Sequence, residues 1–281
     1  MVGTVVSAMA VDVKALPAPA RWRHFFYVTS ALTATEFKLR YFGSVLGYLW
    51  TLLRPLMVFA VLYVVFTEIF RFGGDVPHYA VMLLLGLIIW NFFADATGSA
   101  LPSLVQRESL LRKVSFPRAS IPIAVSTTAG ANLILGLIVV VFFALMDGVT
   151  PTVSWLAVLP ILVGVFAFAA GLALLLSALY VRFRDVQPIW EVVSQLLFWG
   201  TPIIYTIETA PNRLRTIIMF NPLSVAIQQA RHWFIDPSAA TAAEAIGGTG
   251  RLAVPLGVFV IIVLGGVWVF RLFEPGIAEE L

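Results

Sequence analysis

The chain has 281 residues, of which 60% are hydrophobic and only 12% are charged. Soluble domains run at about 45–50% apolar and about 25% charged, so this composition excludes a water-soluble globular fold. The net charge is +3 and there is no cysteine. Basic residues must therefore act through where they sit, and disulfides, thiol nucleophiles and thiolate metal sites are excluded.

In chain order, residues 1–20 read as a flexible leader. Asp12, Lys14, Pro17 and Pro19 interrupt any apolar core that a signal peptide would need. Over residues 21–42, Trp22, Phe25, Phe26 and Thr29 recur at helical spacing, as do Leu32, Glu36 and Leu39. Arg21, Arg23, Lys38 and Arg40 add charge, which suits an amphipathic helix lying in the cytoplasmic membrane interface. A disordered basic segment is the alternative. Gly43 and Gly47 allow a sharp turn into the next element.

Residues 43–272 form one transmembrane domain. Apolar spans lie at about 45–70, 79–101, 120–146, 153–181, 188–207 and 252–272. Each is near or above the roughly 20 residues a helix needs to cross a bilayer. A transmembrane β-barrel would instead show alternating segments of about ten residues. The expected fold is all-α, with six transmembrane helices. Pro55, just after Arg54, is expected to kink the first span or mark the start of its straight part. Residues 273–281 are read as a cytoplasmic tail.

Two connections are more than linkers. Residues 103–118 carry Glu108, Arg112, Lys113 and Arg118 among Leu110, Leu111 and Phe116, bracketed by Pro102 and Pro117. This is either a charged loop that sets topology or a short cytoplasmic helix that docks into another protein. Composition leaves both open. Residues 208–250 form a long segment on the opposite side. Its first half is apolar and broken at Asn221-Pro222, a signal for a turn and a helix start. Two short interfacial or re-entrant helices are expected there. Its second half, 236–250, is rich in Ala, Thr and Gly and reads as a flexible loop.

An even number of spans puts both termini on one side. Lys14, Arg21, Arg23, Lys38, Arg40, Arg107, Arg112, Lys113, Arg118, Arg182, Arg184 and Arg271 all fall on that side. By the positive-inside rule it is cytoplasmic. The three lysines, Lys14, Lys38 and Lys113, lie outside any phosphate-binding G-x-x-x-x-G-K loop. His24, His78 and His232 lack metal-ligand spacing, and there is no G-x-S-x-G elbow. No metal or cofactor is expected on this chain, and no nucleic-acid partner.

Polar residues interrupt the spans at Glu68, Asn91, Asp95, Asn132, Glu191 and Gln195. They face either the headgroups or an internal wet cavity. Of 22 Phe, 8 Trp and 7 Tyr, several mark span ends as an interfacial belt. Others lie within spans: Tyr48, Trp50, Phe59 and Tyr63 in the first, and Phe198, Trp199 and Tyr205 in the fifth. These either pack between helices or offer faces to sugar rings.

Several stretches together resemble one family. Glu36-Phe37-Lys38-Leu39-Arg40-Tyr41, then Gly43-Ser44-Val45-Leu46-Gly47-Tyr48-Leu49-Trp50 and Arg54-Pro55-Leu56, is similar to the opening signature of ABC-2 type polysaccharide exporter permeases. Leu110 through Arg118, Tyr180 through Val186, Thr201 through Tyr205, and Phe220-Asn221-Pro222-Leu223 resemble later motifs of that family in the same order. The family often has Asp where Glu36 stands, which keeps the charge.

The resemblance implies a homodimer working with two copies of a separate ABC ATPase, on which ATP and Mg would bind. It implies that Glu108, Leu110, Leu111, Arg112, Lys113, Phe116, Pro117 and Arg118 form the segment that couples to that ATPase. Asn221 and Pro222 would belong to an outer gate. The first and fifth spans would line a channel, through Tyr48, Trp50, Phe59, Tyr63, Phe198 and Tyr205. The cargo would be a polysaccharide on polyprenyl diphosphate. Arg23, Arg40 and Arg54 are candidates to hold the diphosphate by charge-assisted bonds, or they only set topology. Export of a drug or small lipid is the main alternative. A membrane glycosyl-transfer enzyme would need paired carboxylates at one membrane face, and a secondary transporter would favour internal repeats. Neither is visible.

Overall fold

A computed structural model describes residues 17–41, 49–71, 76–114 and 116–277. Most of the expected leader, the turn at Gly43–Gly47 and Tyr48 lie outside the described residues, as does the side chain of Arg40. Among the described residues the fold is entirely helical.

Helix α1 (Ala18–Tyr41) lies against α6 (Ser120–Met146). Val28, Thr29 and Leu32 are buried along one stripe, with Phe25 and Glu36 half-buried beside them. This i, i+4, i+7 spacing is that of a helix docked by one face. Trp22, Phe26 and Leu39 are turned outward.

Helix α2 (Leu49–Val64) continues into a π-helical turn at Val65–Ile69. Pro55 sits inside α2, where it removes one helical hydrogen bond. Helix α3 (Tyr79–Ala100) is the most enclosed element. Val81, Leu83, Leu84, Ile89 and Ala96 are fully buried, because α2, α6, α7 and α8 surround it. After α3 come two short helices, α4 (Ser103–Gln106) and α5 (Glu108–Lys113). A 3-10 turn at Val153–Ala157 leads into α7 (Val158–Arg182). The last long helix is α12 (Ala253–Phe273).

Among the described residues, five helical stretches are long and apolar enough to cross a membrane: Leu49–Ile69, Tyr79–Ala100, Ser120–Met146, Val153–Arg182 and Thr249–Phe273. The expected span at 188–207 takes another form. Helix α8 (Val186–Gly200) has 15 residues, about 22 Å of rise. It then gives way to a non-helical run in which Thr201, Pro202, Ile203, Ile204 and Thr206 are buried. That irregular backbone sits inside protein, as a low-dielectric setting requires. The Tyr79 hydroxyl donates to the Ile204 carbonyl at 2.8 Å, and Ile203 packs on Gly86 of α3.

On the opposite end from α1 and α5, helices α9 (Asn212–Ile218) and α10 (Pro222–Phe234) form the two short pieces expected around Asn221-Pro222. The stretch expected to be a flexible loop is folded instead. Helix α11 (Ala242–Ile246) starts with a capping box between Thr241 and Glu244 and ends at Gly247, whose φ is +88°. Ala242, Ala245 and Ile246 pack on Ile207, Ile218 and Met219. The physical reason is that a Thr-x-x-Glu box satisfies the first free amide groups of even a one-turn helix.

Helices α7 and α12 touch backbone to backbone. A Cβ placed on Gly266 would fall 2.0 Å from the Gly171 carbonyl oxygen, and one on Gly171 would fall 2.7 Å from the Val263 Cα. Small residues permit such contacts, which carry helix association where lipid removes the hydrophobic drive. We expect Gly266→Leu to separate this seam and destabilise the purified protein by about 1–3 kcal/mol or more. Gly257→Ala, where a Cβ meets open space, should be neutral. Thermal unfolding in detergent reads both, and equal melting of the two variants would contradict the seam.

Candidate functional site

Three groups of residues carry polar chemistry. The first surrounds α5. Leu111 and Phe116 are buried in a cluster with Val28 and Leu32 of α1, Leu174 and Val181 of α7, and Phe270 of α12. The charges point the other way. Glu108 and Arg112 pair across one turn at 2.8 Å, with Arg112 57% exposed, and Lys113 is exposed beside them. Two ties fix the loop to the body. Arg107 pairs with Glu36 of α1, and burial pushes the Arg107 guanidinium below its usual pKa. Arg118 donates to the carbonyls of Glu274 and Pro275, just beyond α12. Among these residues, sequence reading singled out the exposed and the buried alike. The structure separates an anchor (Leu111, Phe116, Arg118) from a presented face (Glu108, Arg112, Lys113).

The second group lies within the bundle. A cavity of about 580 Å³ opens between α2, α3 and α6, and Trp50, Arg54, Asn91, Asp95, Ser99 and Asn132 line it. The Ser99 hydroxyl donates to Asp95 Oδ1 at 2.9 Å. Arg54 is exposed at its rim, whereas Asp95, Ser99 and Asn132 are half-buried. A neighbouring groove against α8 shares Asn91, Ala94 and Gly98 and adds Glu191, Gln195, Phe198 and Trp199. Polar residues that the sequence pairs only within one helix, Asn91 with Asp95 and Glu191 with Gln195, therefore converge across helices. Intramembrane polar groups gather around interior or wet space for this reason. Arg23 lies on α1 and is not part of this cavity.

The aromatic candidates divide. Trp50 is 49% exposed and lines the cavity, and Trp199 is exposed in the groove. Phe59 is buried, stacked on Tyr63 at 5.8 Å and edge-on to Phe143 of α6 at 5.9 Å. Tyr63 stacks in turn on Tyr79. Phe198 packs on Trp90 at 5.4 Å. The Tyr205 hydroxyl is 3.5 Å from the Trp199 carbonyl.

The third group closes the other end. Asn221 caps α10 by accepting from the Leu223 amide at 3.0 Å, and its amide donates to Thr201 Oγ1 at 3.1 Å. It thereby ties α10 to the irregular run after α8. Sequence reading missed Glu208, Gln228 and Arg231, which knit this cap. Arg231 is buried and donates to Glu208 Oε2 at 3.0 Å, the Ala240 amide donates to Glu208 Oε1 at 3.3 Å, and Gln228 donates to the Ala240 carbonyl at 2.6 Å. The signal in the sequence was weak: Glu208 and Arg231 are 23 residues apart, and Arg213 and Arg215 lie between them as equally good partners by charge.

Burial opposes ionisation of Glu208. Backbone hydrogen bonds and the Arg231 charge outweigh it and hold the carboxyl below the usual glutamate range. A depressed folded-state pKa adds stability that is complete above the unfolded value, about 4.3, and is lost as pH falls through the lower folded value. Glu208→Gln should therefore weaken protection of α10 and α11 from hydrogen exchange at pH 7 and flatten its acid dependence below about pH 4.3. An unchanged acid dependence would contradict this role.

Comparison with known proteins bears on all three groups. The sequence pattern of the family described as "ABC-2 type transporter" matches residues 27–235. The chain is 31% identical over 214 residues to the "O-antigen export system permease protein RfbA" of Klebsiella pneumoniae, covering 76% of this chain and 82% of that protein. It is 32% identical over 197 residues to the protein of the same name from Myxococcus xanthus, covering 69% and 74%. It is 22% identical over 230 residues to the "Capsule polysaccharide export inner-membrane protein CtrC" of Neisseria meningitidis, covering 76% and 81%.

Proposed function

The chain belongs to the ABC-2 type transporter family, and from that premise we propose that it is the membrane permease subunit of a polysaccharide exporter. Its similarity to proteins named for O-antigen and capsule polysaccharide export supports this reading over drug or small-lipid export. The observation that carries it is the match across residues 27–235. It takes in most of α1, all of α5, the cavity and most of the outer cap.

The sequence holds no phosphate-binding loop around Lys14, Lys38 or Lys113, so a separate ABC ATPase would hydrolyse ATP with its Mg. Two copies would serve a homodimer of this chain. The exposed apolar faces of α2 and α8, including Val61, Ile189 and Leu196, are suited to a seam between two subunits. The termini would lie in the cytoplasm and the chain in the inner or plasma membrane, by the placement of Arg and Lys. In this arrangement α8 with its buried extension to Thr206 serves as the sixth crossing, and α9 and α10 sit at the outer face as gate elements through Asn221 and Pro222.

The presented face of α5 would dock into the ATPase, while Leu111 and Phe116 pass its movement to α1, α7 and α12. Arg54 would hold the diphosphate of a lipid-linked glycan at the cavity rim, with Arg23 and Arg40 as the further candidates. Trp50 and Tyr63 on α2, Phe198 on α8 and Tyr205 just beyond α8 would border the path, and Tyr48 stands next to α2 in sequence. Phe59 would support that wall from behind, since its ring is packed against Phe143.

Co-expression with the ABC ATPase of its own operon tests the reading. The two should co-purify, and Arg112→Glu with Lys113→Glu should abolish co-purification while the permease alone melts as before. Undiminished complex formation by that double variant would remove α5 as the docking element. Failure of the wild-type chain to bind any ATPase would remove the permease reading itself.

A further inference from the structure

At the end of the bundle opposite α5, an open groove of about 750 Å³ lies between α9, α11 and the 3-10 turn at Thr249–Leu252. Arg213, Arg215 and Arg251 all line it. Among the described residues, none of the three pairs with a carboxylate. Glu208 is taken by Arg231. Glu244 also lines the groove, but its Oε2 is held by the Thr241 amide at 2.8 Å and the Thr241 hydroxyl at 2.9 Å. Arg215 donates to the neutral carbonyls of Glu208 at 2.8 Å and Ala210 at 3.3 Å, and its buried Nε has no acceptor. Arg251 is set in place by the end of α11. Its Nη1 donates to the Ile246 carbonyl at 3.3 Å and lies 2.8 Å from where a Cβ on Gly247 would sit. Like charges gathered around one space repel one another. A phosphate would offset that repulsion and accept from the guanidinium forks.

The groove stands at the end of a membrane span. Arg251 comes just before α12, which is long and apolar enough to cross, so its charge falls at headgroup level. Ile217, 63% exposed, and Phe220 line the same groove, and charge beside apolar surface is the pattern of a membrane interface. Leu252, next to Arg251 in the chain, lines a second cavity of about 510 Å³ between α7, α10 and α12. Val165, Phe168, Leu223 and Phe259 give that cavity hydrocarbon and ring walls. Gln229 also lines it, and its side-chain oxygen already accepts from the Ala242 amide at 3.0 Å. Leu256, another lining residue, is 62% exposed, so the cavity is reached from the face that α12 turns outward.

We infer that groove and cavity together form a site for an anionic phospholipid of the surrounding bilayer. Its phosphate sits on Arg213, Arg215 and Arg251, and one acyl chain lies between α7, α10 and α12. This needs the chain to span a membrane and does not rest on the identity of the cargo. Among the described residues, none from α2 or α8 lines either space. The site therefore stands apart from the cavity at Arg54 and from the path proposed above, which makes its occupant a resident lipid and not the lipid that carries a glycan. Bound there, the lipid ties α9 and α11 to the two spans α7 and α12.

The test uses the full chain, purified in detergent and stripped of lipid. Phosphatidylglycerol and phosphatidylcholine with the same acyl chains are titrated in, and bound lipid is counted by native mass spectrometry. Wild type should hold phosphatidylglycerol at least about tenfold more tightly. Arg213→Gln combined with Arg251→Gln, both at exposed positions, should bring it to the level of phosphatidylcholine. Gly164→Leu should weaken both lipids, because Gly164 lines the apolar cavity and a Cβ there meets open space. Equal binding of the two lipids by wild type, or a preference that survives in the double arginine variant, overturns the headgroup site. Unchanged binding by Gly164→Leu overturns the acyl-chain cavity. Displacement of phosphatidylglycerol by an equal amount of polyprenyl phosphate overturns the resident phospholipid in favour of the carrier lipid, and displacement by inorganic phosphate overturns it in favour of a bare anion. Each of these results leaves the exporter reading where it stands.

Discussion

A helix inside a bilayer must satisfy its own backbone and gains little from hiding apolar side chains, because lipid is as apolar as leucine. The whole architecture follows from how α3 meets that constraint. Among the described residues it is the one long helix enclosed on nearly every side, and its neighbours hold it by close fit. Ile203 presses on Gly86, and Ile88 fills the space above Gly136 of α6. Where the next pair, α7 and α12, comes together, Gly171 and Gly266 let the backbones touch. Bulk is placed where a gap must be filled and removed where two backbones must meet.

That packing positions the polar chemistry. Because α3 is pinned between α2 and α6, Asp95 and Asn91 are carried into the same space as Arg54 and Asn132. Because α6 begins directly after the α5 loop, the buried side of that loop shares one apolar cluster with α1, α7 and α12. A push on α5 therefore acts on helix ends and not on a loose loop. At the far end, Asn221 and the Glu208–Arg231 pair perform the matching task for α9, α10 and α11. The protein is thus anchored by polar bonds at its two ends and by shape in the middle.

Much of this was legible in the sequence. The long apolar runs of α3, α6, α7 and α12 identify themselves by length, and the break at Asn221-Pro222 marks α10 to the residue. The span at 188–207 was legible as apolar but not as partly irregular. Periodicity cannot show that Thr201–Thr206 leaves the helix, since the run is buried by Tyr79 and Gly86 of a distant helix. Residues 236–250 read as a loop by composition, yet Thr241 and Glu244 carried the capping-box spacing that the structure uses. Arg54, Asn91, Asp95 and Asn132 were each visible as unusual. Their convergence was not, because it depends on the register of three helices and no local pattern encodes that.

The central claim is that this chain moves a lipid-linked polysaccharide across a membrane without making it. Depleting the protein in its own host and locating lipid-linked glycan tests this most directly. The account predicts polymer of normal composition accumulating on the cytoplasmic side. Loss or shortening of the polymer with no cytoplasmic accumulation would contradict it and point to a synthetic enzyme, and an unchanged glycan profile would contradict it in favour of another cargo.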